Sequence, residues 1–97
     1  MFEEELNRKL NSVGKKVFVE CFYCFQRYAF GQITKESAIK ELVDSAISNE
    51  AGASIRLSNA AMIFKANKQN EALGIVLSSK RISSVVREKA QILMKSS

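Results

Sequence analysis

The chain has 97 residues, 46% of them apolar and 26% charged, with no proline and no histidine. That is enough for one domain with a single core. Without histidine, the usual triad base and most metal clusters are excluded. The glycines at 14, 31, 52 and 74 are too far apart to build a phosphate loop. The expectation is a non-enzyme, with no cofactor, no metal and no catalytic residue.

The net charge of +5 is unevenly placed. Residues 1–50 carry seven Lys/Arg against eight Asp/Glu, whereas residues 51–97 carry eight against two. A one-sided basic field concentrates polyanions, which makes nucleic acid the first partner to consider. The N-terminus opens Phe2-Glu3-Glu4-Glu5, the opposite of a basic secretory leader, so the expected location is cytoplasmic.

The first predicted helix runs from Phe2 to about Ser12. Phe2, Leu6, Leu10 and Val13 form its apolar stripe, with acids in the first turn and Arg8 and Lys9 later, as the helix dipole favours. Gly14 ends it. The stretch Lys16–Phe30 follows, holding six of the eight aromatic residues. It is too short and too charged to span a bilayer, so no membrane role is expected. Burying that much aromatic surface calls for a central helix wrapped by the others. Its Cys21-Phe-Tyr-Cys24 has the letters of a C-x-x-C, but zinc needs four ligands and a thioredoxin motif belongs at a strand-to-helix turn. Mid-helix among aromatics, both cysteines read as inert core.

Thr34 caps the third predicted helix, whose Ala38, Ile39, Leu42, Val43, Ala46 and Ile47 make an amphipathic stripe. After the break Ser48–Gly52, with Asn49 as a second cap, a fourth helix reaches Ala66. Leu57, Ala60 and Phe64 gather on one flank and Ile55, Met62 and Ala66 on another. Between them a ridge of Ser54, Ser58, Ala61, Lys65 and Lys68 is expected to face outward, with Arg56 and Asn59 pointing away from it. Gln69–Leu77 could equally be a strand, but a lone strand would have no partner, so it is read as a short fifth helix. The last helix begins after Ser83 or Ser84 and buries Ile82, Val86, Ala90 and Leu93, leaving Arg87, Lys89 and Lys95 outside. The expected fold is all-α: one domain over 1–97, a compact orthogonal bundle of five or six helices.

Residues 34–66, two helices joined by a short Gly-containing break, form a helix-turn-helix candidate. In such a pair the second helix meets base edges in the major groove. Ser54, Arg56, Ser58 and Asn59 are the contact candidates, since arginine can pair with guanine and asparagine with adenine. Lys65, Lys68, Lys80, Arg81 and Arg87 would neutralise phosphates.

The run Ala53-Ser54-Ile55-Arg56-Leu57-Ser58-Asn59 follows a capped amphipathic helix and precedes one with Ala72-Leu73. Together they resemble the helical segment that precedes the nuclease module in bacterial HNH restriction-type endonucleases. The resemblance implies a DNA-reading accessory domain of a restriction or defence protein, with Arg56 and Asn59 as contacts. An HNH active site needs histidines, so any nuclease activity would lie outside this chain. The expected function is duplex DNA binding without catalysis. The rival is a helical protein–protein adaptor, antitoxin-like or anti-defence, homodimeric or part of a larger parent, with Ile55, Met62 and Ala66 facing the partner.

Overall fold

A computed structural model describes residues 1–95, so the last two residues of the expected 1–97 domain lie outside it. Among the described residues the chain is all-helical. Its helices are α1 (Glu3–Val13), α2 (Lys15–Glu20), α3 (Phe22–Ala29), α4 (Lys35–Asp44), α5 (Glu50–Lys65), α6 (Gln69–Ser78) and α7 (Ser84–Lys95). None is long and apolar enough to cross a membrane.

Among the described residues the helices number seven rather than the expected five or six, because the aromatic stretch bends at Cys21, whose backbone leaves helical geometry at φ −108°, ψ 20°. The bend has a packing cause. Apolar residues on several sides of one straight rod cannot all face one neighbour. With the bend, α2 packs on α6 and α7 while α3 packs on α4 and α5. Phe18, Phe22 and Phe25 are buried as expected, but Tyr23 and Phe30 are more than half exposed, so the stretch is not buried all round. Phe2 is 86% exposed and belongs to no stripe, because it precedes the first helical turn.

The wrapped central element is α5 instead. It touches α1, α3, α4 and α6. Its Phe64 sits among Phe18 (centroids 5.9 Å, stacked), Phe22 (5.0 Å, edge-on) and Phe30 (6.3 Å, edge-on). Such pairs add ~0.5–1.5 kcal/mol each beyond the area they bury. Ala53, Leu57, Ala60, Ala61, Ile63 and Phe64 are all buried. A helix hidden on two flanks and its inner face retains only a narrow outward edge.

Helix ends follow local chemistry. Thr34 Oγ1 accepts from the Ser37 amide (3.1 Å) and Asn49 Oδ1 from the Gly52 amide (2.7 Å), as the two caps predict. Ser83 Oγ accepts from the Val86 amide and caps α7. At the other ends, α3, α4 and α5 close alike, each with a residue in left-handed conformation: Gly31 (φ 73°), Ala46 (φ 57°) and Asn67 (φ 57°). Each time the next amide returns to a carbonyl five residues back, Gln32 to Arg27, Ile47 to Leu42 and Lys68 to Ile63. This is the Schellman closure, which satisfies carbonyls the helix leaves unpaired. Between α1 and α2, Gly14 holds φ 93°, ψ 127°, a region that side chains strongly disfavour.

Candidate nucleic-acid interface

The nine residues proposed as DNA contacts do not form one surface. Arg56 is half-buried, and its Nε donates to the Val13 carbonyl (2.9 Å) and its Nη1 to the Ile47 carbonyl (3.2 Å). It ties the C-terminal ends of α1 and α4 to the middle of α5. Cations favour that position, because helix C-termini carry partial negative charge. Arg87, expected outside, does the same for α6: its guanidinium donates to the carbonyls of Leu77 and Ser79. Arg56, the candidate for pairing with guanine, and Arg87, the candidate for phosphate, both give their guanidinium to backbone carbonyls instead.

Asn59 Nδ2 donates to the Ile55 carbonyl one turn back (2.9 Å). Lys68 stands at the start of α6 with its Nζ on Glu71 (3.0 Å). Ser54 is half-buried, while Ser58 and Lys65 are exposed on α5. The ridge itself needs correcting. Ala61 is buried, and Ile55 and Met62, assigned to an inner flank, are 57% and 51% exposed. The outward edge therefore reads Ala51, Ile55, Ser58, Met62, Lys65. Its many small alanines leave the apolar direction of this helix poorly defined in sequence. Lys9 of α1 lies across one side of this edge, its Nζ 3.2 Å from Met62 Sδ.

Lys80 and Arg81 are exposed in the α6–α7 connection, where Ser79 Oγ accepts from the Arg81 amide. The fold brings Arg81 to a place the sequence reading missed. Asn11 and Gly14 from the end of α1, Lys15 and Lys16 from the start of α2, and Ser79, Arg81, Ile82, Ser83 and Val86 line an open cavity of about 490 Å³. Three cationic residues, two hydroxyls and an amide meet there, and no acid lines it. Lys16 has one loose partner, Glu20 at 3.9 Å. Lys15 and Lys16 escaped notice because they belong to the half of the chain whose charges cancel. Their signal was a pair of lysines directly after a glycine break. A second hollow against α1, with Arg8, Lys9, Ser12 and Asn59, also includes Glu5.

The cysteines take up a structural role. Cys24 is buried and its thiol donates to Glu41 Oε2 (3.1 Å), while Arg27 Nη2 donates to both oxygens of that carboxylate (3.0 and 3.1 Å). Burial, with the Glu41 hydrogen bond adding to it, pushes the Cys24 thiol from 9.0 up to about 12. Burial, followed by the nearby Glu20 charge, raises Cys21 as well. Glu41 is held below its usual range, first by the thiol and then by Arg27. Two thiols kept protonated are poor nucleophiles and poor metal ligands. Among the described residues no three His, Cys, Asp or Glu side chains gather as a metal site.

Comparison of this chain with protein-family models, with curated proteins and with solved structures finds no match.

Proposed function

We propose that this domain binds duplex DNA without catalysis, holding the phosphate backbone at the corner where α1 and α2 meet the α6–α7 connection. One observation carries the reading: Lys15 and Lys16 converge with Arg81, distant in sequence, on one open cavity without an acid lining it. Converging cations release condensed counterions when they meet phosphates, which supplies most of the affinity of sequence-independent binding. Ser79, Ser83 and Asn11 offer the neutral donors that such contacts also use.

In this reading the helix-turn-helix-like pair α4–α5 braces the domain. Its strongest base-reading candidate, Arg56, is occupied at home, so recognition is weighted to backbone contact over base contact. A role as an accessory element of a restriction-type or regulatory protein fits this assignment. The half-exposed Ile55 and Met62 favour an additional protein contact on another face.

The test is binding to random duplex across a salt series. Each phosphate contact contributes about −0.9 to the log–log slope. Lys15→Glu and Arg81→Glu should each weaken binding and flatten the slope by roughly one contact. Lys35→Glu, at the exposed start of α4, should do neither. Binding that is absent at low salt, or that is indifferent to Lys15→Glu and Arg81→Glu, would end the proposal.

A further inference from the structure

We infer that the outward edge of α5 is the seam of a homodimer in which α5 of a second copy lies antiparallel across it. This does not depend on the DNA reading, since the cationic cavity lies on the α6–α7 flank of α1 and the seam lies on its α5 flank. The seam consists of Ala51, Ile55, Ser58, Met62 and Lys65, which recur at four, three, four and three residues. Those are the steps of a row running straight along a helix. Its two large apolar residues, Ile55 and Met62, are 57% and 51% exposed although every buried position of the same helix is apolar. They stand seven residues apart, about 10.5 Å along the axis at 1.5 Å per residue. Between them Ser58, small and exposed, lets a second helix come close.

The identity of the occupant follows from the symmetry of the row. A two-fold axis beside Ser58 maps Ile55 onto Met62 of the other copy and Met62 onto its Ile55, as an isologous contact requires. The same operation sets Glu50, at the acidic start of α5, beside Lys65 of the other copy, at the basic end. Both are exposed, and among the described residues neither has an ion-pair partner in its own chain. The helix dipoles then also oppose favourably. Parallel pairing would set Glu50 on Glu50 and Lys65 on Lys65, which repel. Charge, spacing and side-chain size thus agree on one partner, another copy of this chain, in one orientation.

Sedimentation equilibrium of the full chain without nucleic acid tests this. The expected mass is twice 10.8 kDa, falling to 10.8 kDa for Met62→Glu and for Ser58→Arg. Both positions are exposed, so circular dichroism should show an unchanged fold. Glu50→Lys and Lys65→Glu should each weaken the dimer roughly tenfold, equivalent to about 1.4 kcal/mol. The double exchange should restore it. A monomer at every concentration, or a dimer indifferent to Met62→Glu and Ser58→Arg, would overturn the inference. Single charge variants that weaken the dimer without rescue by the double exchange would overturn the antiparallel orientation. Because no DNA is present, none of these results bears on the cationic corner, whose own test is the salt series.

Discussion

Replacing Arg56 by alanine separates the two roles this residue could have. In the structure its guanidinium holds the last carbonyl of α1 and the Ile47 carbonyl just beyond α4, at 2.9 and 3.2 Å. Hydrogen bonds from a charged donor contribute about 1.5–3 kcal/mol each, and removing the donor leaves part-buried carbonyls unsatisfied. The two bonds share one side chain and do not add fully, so the expected loss is about 3 kcal/mol. For a domain of this size that lowers the melting temperature by about 12–24 °C. Arg56→Lys, with a single point donor on a flexible stem, should recover roughly half, because it can reach one carbonyl at a time. Thermal and urea unfolding followed by circular dichroism would measure both variants. Duplex binding, measured at a temperature where the variant is still folded, should change little. An Arg56→Ala protein that melts like the parent yet loses DNA affinity would refute the assignment and return Arg56 to the interface.

Two further outcomes follow from the geometry of single residues. Ala46 closes α4 in left-handed conformation at φ 57°, where an L-side chain costs about 1–2 kcal/mol. Ala46→Gly removes that strain but frees the unfolded chain by about 0.4–1 kcal/mol, leaving a net gain of about 0.5–1 kcal/mol, readable as a higher urea midpoint. The thiol–carboxylate link sets two pH limits. Cys24 has a raised folded pKa of about 12, so its contribution to stability is intact below the unfolded thiol value near 9.0 and declines as pH climbs towards 12. Glu41 has a lowered folded pKa, so its contribution is present above the unfolded carboxylate range and lost as pH falls through the folded value. Cys24→Ala should flatten the alkaline limb of a stability–pH curve and Glu41→Gln the acid limb. Rapid modification of Cys24 in the native protein near neutral pH would contradict both the burial and the hydrogen bond assigned to it.

Much of the architecture was legible from local rules. Helix starts at Thr34 and Asn49 and the stop at Gly14 each depend on residues within a few positions of one another, so the chain alone specified them; the helix after Gln69 was chosen over a strand only because a lone strand would lack a partner. The all-α class followed from the same periodicities. The bend at Cys21 was not legible. It depends on tertiary neighbours: Phe18 on α2 stacks on Phe64, 46 residues along the chain, while α3 packs on α4 and α5. The outward edge of α5 was misjudged for a related reason. Where alanine and serine fill much of a helix, the hydrophobic contrast between faces is small, and the packing of α1, α3 and α4 decides which face is covered.

The candidate site divides in the same way. Sequence alone determined that the chain is basic, holds no histidine and gathers its acids early, so that its net positive charge falls late, because charge and residue type are properties of composition. Only the tertiary structure decided which cations are at liberty. An arginine six residues into a helix looks available until the end of another helix arrives beside it, as α1 does at Arg56. Two lysines in a charge-balanced half look unremarkable until the α6–α7 connection brings Arg81 to them. Electrostatic fields add over distances in space, and spacing along the chain does not report those distances.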